Sequence, residues 1–184
     1  MIGDPVDRPP QLVVPAGWVA LEPPRLEGGE GSFVSGGDAS GRLRVRYFRR
    51  PGAPGLAGRA WFGRGAAGPP GHAHGGAIAA VLDEAMGAVA WTEGHCVVAV
   101  RLETDFRRLV PLGTDAHLDA RVGEIEGRKV NATARLVDER GELFAEARGL
   151  FVTLDPVRFA DLLAAAAASF GLDPAELARR FSAP

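Results

Sequence analysis

The sequence predicts an α+β domain in which an antiparallel β-sheet wraps one long buried helix. Three observations predict it. The stretch 77–91 is built from helix formers and is apolar on nearly every face, the pattern of a helix buried all round rather than lying on a surface. Four strand-like runs follow it, at 97–106, 115–126, 129–137 and 142–154. Their breaks, Pro111-Leu-Gly113, Glu126-Gly-Arg128 and Asp138-Glu-Arg-Gly141, suit hairpins of an antiparallel sheet.

Taken in order, residues 1–30 form an irregular, Pro- and Gly-rich arm with short apolar pieces at 12–14 and 18–21. Two strands are expected next, a short one at 32–35 and one at 43–48, where apolar residues alternate with basic ones. A third candidate follows the Pro/Gly break at 51–58, over 59–64 with Trp61 and Phe62. Residues 65–76 are a glycine-rich loop leading into the helix. The tail predicts two short helices, 156–169 and 174–181, each with proline near its start. The domain proper is therefore expected over 31–155, with a helical extension at 156–184.

The 184 residues suffice for one domain with a proper core, since roughly 70% of the unfolded surface can be buried at this size. A lone cysteine, Cys96, excludes an internal disulfide framework and fits a reducing compartment. A net charge of −2 argues against nucleic-acid binding through bulk positive charge. No cationic segment leads into an apolar stretch at the N-terminus, and no apolar run approaches the ~18 residues a membrane span needs. The chain is expected to be cytoplasmic, without nucleic-acid or membrane partners.

The chemistry is sought on the helix. Within 77–91 the ionisable residues are Asp83 and Glu84. A buried carboxylate without a partner costs several kcal/mol or shifts its pKa upward, and a helix serving only the core would carry leucine or alanine there. The two point roughly 100° apart, so one can face a site while the other finds a structural partner. Alternatively both surface at a subunit seam.

His72-Ala-His74-Gly75-Gly76 leads into this helix. Paired glycines let a ligand approach the backbone, and first-turn N–H groups carry the positive end of the dipole, so a phosphate, carboxylate or oxyanion can be held there. Gly76 and Asp83 share a face but lie ~10 Å apart along the axis. Two such helices, antiparallel across a twofold axis, can bring the N–H of one to the carboxylate of the other. His72 and His74, with Asp83 or Glu84, offer enough ligands for zinc. His95 and His117 show no matching spacing, and no metal is expected. Cys96, beside Val97 and Val98, reads as a small buried residue rather than a nucleophile.

The stretch 68–87, GPPGHAHGGAIAAVLDEAMG, closely resembles the motif of hotdog-fold acyl-CoA thioesterases of the phenylacetate-pathway and thioesterase-superfamily-member type. The similarity extends to about Leu154. It implies a sheet wrapped around one helix, and subunits joined sheet to sheet as a dimer or a dimer of dimers. It implies that Gly76 N–H polarises the thioester carbonyl, that Asp83 of the partner subunit acts as base or nucleophile, and that His74 and Gly75 shape the loop. Glu84 is the reserve acid. Arg107 and Arg108, in 106–111, and Arg128 and Lys129, in the hairpin beginning at Gly127, are expected to meet the phosphates of coenzyme A. Coenzyme A enters as part of the substrate, with no further cofactor. One departure is Ala99, where several relatives carry a serine or threonine. No hydroxyl follows until Thr104. The expected activity is hydrolysis of a fatty-acyl or aryl coenzyme A thioester. Ala99 keeps a second reading open, a hotdog protein that binds acyl-CoA or acyl carrier protein without turning it over.

Overall fold

The computed structural model describes residues 6–7, 10–21, 32–35, 41–155, 158–161 and 164. Its strands are β1 (Val19–Leu21), β2 (Leu43–Arg49), β3 (Leu56–Phe62), β4 (Val97–Phe106), β5 (Asp115–Glu126), β6 (Lys129–Val137) and β7 (Leu143–Thr153). They form one antiparallel sheet in the order β1-β2-β3-β5-β6-β7-β4. The helix α1 (Gly75–Thr92) lies across it, packed against β3 to β7.

Alternation explains which face receives the helix. Along β6, Val130, Ala132, Ala134 and Leu136 are buried while Lys129, Asn131, Thr133 and Arg135 are exposed. The inward residues of β5 to β7 are mostly small, among them Ala116, Ala120, Ala132, Ala134, Ala145 and Ala147, so the helix seats close to the sheet. Gly149 on β7 shows how close. A Cβ there would lie 3.2 Å from the Met86 methyl and 2.4 Å from the Phe151 ring. From the helix, Ile78, Val81, Leu82, Ala85, Met86 and Val89 are buried, which is why 77–91 is apolar on so many sides.

The expected helix and the strands after Cys96 are found. β4, β5 and β6 have the predicted bounds, and β7 is one residue shorter at each end. Elsewhere the structure differs. The irregular arm supplies β1, which pairs at the sheet edge with the last residues of β2. Residues 33–35 form a turn, not a strand. There Ser32 Oγ accepts from Val34 N–H at 3.4 Å, a serine bonding its own chain two residues on, which favours a turn over pairing. β3 begins earlier than expected, at Leu56, and a 3₁₀ turn at Arg64–Ala66 follows it. The helices expected at 156–169 and 174–181 lie almost wholly outside the described residues.

Candidate active site

The loop before α1 is held by its own backbone. His72 N–H donates to Pro69 O at 2.9 Å, closing a turn with Pro70 and then Gly71 at its centre. Gly71 has φ +73°, the left-handed conformation that the third position of a type II turn needs. Gly68 N–H bonds His72 O (2.9 Å), Ala73 N–H bonds Val110 O (2.8 Å) and His74 N–H bonds Ala66 O (2.7 Å). At Gly68 a Cβ would sit 2.7 Å from the His74 Cα, so a side chain there would push His74 away.

His74 caps the helix. Its backbone carbonyl accepts from Ala77 and Ile78 N–H (3.0 and 3.2 Å), and its Nδ1 accepts from Gly76 N–H at 2.9 Å. A nitrogen that accepts carries no proton, so the neutral ring holds its hydrogen on Nε2. Gly76 N–H, the expected oxyanion donor, is thus already engaged. Gly75 N–H meets no acceptor among the described residues. It is the uncommitted donor at the positive end of the dipole.

Beside Gly75 opens a groove of about 280 Å³, whose walls include Pro69, Ile78, Phe106, Arg107 and Leu109. The Phe106 ring approaches to 3.4 Å of where a Gly75 Cβ would stand. A second cleft, about 460 Å³, adjoins it and shares Arg108 and Leu109.

The two helix acids go separate ways. Asp83 is half-buried, and desolvation raises its carboxyl above the usual value. Glu84 faces β2 and the 33–35 turn, where its Oε2 accepts from Ser32 Oγ. Its Oε1 and the Tyr47 hydroxyl are both buried without a hydrogen-bond partner. Burial, then the adjacent Glu84 and the more distant Asp83, push the Tyr47 phenol well above its ordinary range.

The basic residues split into two groups. Arg107 pairs with Glu146 (2.9 Å) and Asp105 (3.6 Å). Arg108 lies over the Phe144 ring and pairs with Asp138 at 2.9 Å. Arg128 donates to Thr153 O at 2.8 Å, and Lys129 is exposed at the start of β6. The groups sit at opposite ends of β6, ~26 Å apart for eight strand residues. They do not converge within one protomer.

Among the described residues no three His, Cys, Asp or Glu side chains gather where a metal could bind. His72 Nδ1 instead faces Pro70 O at 2.7 Å.

Residues 70–145, spanning the loop, α1 and β4 to the start of β7, match the thioesterase superfamily. This segment is similar to a thioesterase-superfamily domain. The chain is 40% identical to the acyl-coenzyme A thioesterase THEM4 of Bos taurus over 91 residues, covering 48% of this chain and 37% of that protein. It therefore spans well under half the length of that relative. Among solved structures, a thioesterase superfamily protein superposes with TM-score 0.56 at 27% identity, covering 59% of this chain and 56% of that one. Zebra fish thioesterase superfamily member 2 superposes with TM-score 0.53 at 20% identity over 62% of this chain and 83% of its own, which shows the shared hotdog fold.

Cys96 is no nucleophile, because it is fully buried and its thiol is pushed up to about 12 by desolvation. The sequence did not single out the commitment of Gly76 N–H to His74, or the polar cluster of Ser32, Tyr47 and Glu84. The first had a signal, since a histidine immediately before a helix can cap it. The second had none, because Ser32, Tyr47 and Glu84 are far apart in sequence.

Proposed function

We propose that this chain hydrolyses fatty-acyl or aryl coenzyme A thioesters to the free acid and coenzyme A, in a site shared by two copies of the chain. One observation carries the reading. A single helix presents an uncommitted N–H beside an open groove and, two turns on, a half-buried carboxylate with raised proton affinity. The named activity of the bovine relative supports it.

The thioester oxygen accepts from Gly75 N–H, where negative charge develops as the carbonyl is attacked. Asp83 takes a proton from the attacking water. The new C–O bond forms, the C–S bond breaks, and the proton passes to the departing sulfur. Gly75 and Asp83 are ~12 Å apart along one helix, so a single protomer cannot place both against one carbonyl. A second protomer supplies the missing half.

The edge of the sheet supports that assembly. β4 is the outermost strand, and its Val98, Val100 and Leu102 are 44%, 58% and 38% exposed, an apolar stretch on an unpaired edge. Pairing β4 antiparallel with its copy buries these residues. It also carries the partner's Arg128 and Lys129 toward the Phe106 end of β4. Both basic groups then flank one groove, where the phosphates of coenzyme A would lie.

Thiol release from short, long and aromatic acyl-CoAs tests the reading, with Asp83→Asn beside wild type. Turnover that falls by about 10²–10⁴ in the variant is expected. Ala99, exposed on β4 and lacking a hydroxyl, favours the second reading of a non-hydrolytic acyl-CoA or acyl carrier protein binder. Acyl-CoA binding without thiol release from any member would establish that reading instead.

A further inference from the structure

We propose that the cleft adjoining the groove seats an adenine-type purine, the nucleotide end of a coenzyme A thioester, stacked on the flat guanidinium of Arg108. The inference rests on the reading of an acyl-CoA substrate, and it favours coenzyme A over acyl carrier protein as the carrier.

Arg108 is built as a platform. Its Nε donates to Leu143 O at 3.1 Å and its Nη2 to Asp138 at 2.9 Å, while one face lies 4.7 Å from the centre of the Phe144 ring. Asp138 is itself fixed, because its Oδ1 accepts from the N–H groups of Arg140 and Glu142, both at 2.9 Å. The Phe144 ring beneath is buried. The guanidinium plane is therefore held at its edge and from below, yet the Arg108 side chain stays 42% exposed and lines the cleft of about 460 Å³. A fixed guanidinium with one bare face is a surface on which an aromatic ring stacks. A phosphate partner needs charge alone, and lysine supplies that as well.

The rest of the cleft says which ring. Leu109 and Pro111 give it an apolar wall, and Asp115, Asp138 and Glu139 line it with carboxylates. Asp115 is paired with Arg59 and Asp138 with Arg108, whereas Glu139 makes no ion pair among the described residues. Carboxylates repel phosphate and accept from an amino group, as does the Thr114 hydroxyl on the same cleft. A neutral, flat ring with an exocyclic amino group suits this lining, and adenine carries one. The cleft and the groove beside Gly75 share Arg108 and Leu109, so a thioester seated at Gly75 has a continuous wall leading to the base. An acyl carrier protein presents no purine and leaves the cleft unfilled.

Kinetics of one acyl group carried on coenzyme A and on pantetheine, which lacks the nucleotide, test this in wild type and Arg108→Lys. Lysine keeps the charge but has no plane to stack on. Arg108→Lys is expected to raise KM for acyl-CoA about fivefold or more with kcat unchanged, and to leave KM for acyl-pantetheine within about twofold of wild type. Wild-type KM for acyl-CoA in Arg108→Lys overturns the stack, because charge alone then suffices, and an equal rise for both substrates overturns it too. Should the variant not fold, the wild type decides. Adenosine 3′,5′-bisphosphate is expected to compete with acyl-CoA and to leave acyl-pantetheine turnover unchanged. A bisphosphate that affects neither substrate removes the site. One that alters acyl-pantetheine turnover makes a free nucleotide the ligand and overturns the assignment to the substrate. If wild type releases thiol from neither substrate, the hydrolytic reading falls, and acyl-CoA binding by calorimetry still tests the cleft: a Kd that Arg108→Lys raises supports it, and an unchanged Kd contradicts it.

Discussion

Asp83 sits between Leu82, which is fully buried, and Glu84, which is tied to Ser32, so its carboxylate is ionised at a cost. Its folded pKa is raised by desolvation, so the native state binds this proton more tightly than the unfolded chain does. Between the ordinary carboxylate value and the raised one, stability falls as pH rises, and above both the full cost persists. Asp83→Asn is therefore expected to raise the melting temperature at neutral pH while it removes turnover, a trade made at many active sites. A melt showing Asp83→Asn less stable than wild type would contradict this. If Asp83 is the base, the same raised value is expected to set the acid limb of kcat/KM. Activity falls as pH drops through it, at a higher pH than an unperturbed aspartate would give. Glu84→Gln is expected to leave that limb in place, because Glu84 faces Ser32 and Tyr47 and not the groove. A limb that moves with Glu84→Gln would make Glu84 the base.

At the scale of elements, the strands after the helix were legible because each break carries a glycine that the turn needs, with φ +56° at Gly127 and +83° at Gly141, and because alternation on β6 is unbroken. The helix was legible from its composition, although its first two residues, Gly75 and Gly76, have poor propensity and depend on the His74 cap. The 32–35 segment was misread because four residues carry too little periodicity to separate a strand from a serine-closed turn. At the site, the spacing of glycine and aspartate was legible. Which glycine keeps its N–H was not, since that depends on the His74 rotamer. Core packing gives a stability prediction. Leu82→Ala should cost about 2–5 kcal/mol in denaturant unfolding, because Leu82 is fully buried between helix and sheet. A cost under about 1 kcal/mol would mean that the helix is not seated as described.

At the scale of the whole molecule, the proposed shared site requires β4 to pair with its copy. Val100→Glu places a charge in the middle of the apolar edge strand, beside the register shift between Ala99 and Arg101. It is expected to yield a monomer by light scattering after size exclusion, with thiol release lost although Gly75 and Asp83 are intact. A monomer with wild-type turnover would place the whole site in one chain. The most direct measurement is complementation between two inactive variants. Gly75→Pro removes the N–H at the first helical position, where proline is accepted, and His74 already has the extended conformation that precedes proline (φ −68°, ψ 136°). Mixed with Asp83→Asn and allowed to exchange subunits, it forms mixed dimers with one intact site each. An equimolar mixture should recover about a quarter of wild-type thiol release, since half the dimers are mixed and half their sites are complete. Recovery near that level is the predicted result. A mixture as inactive as its parents, with exchange verified, would contradict a site shared between protomers.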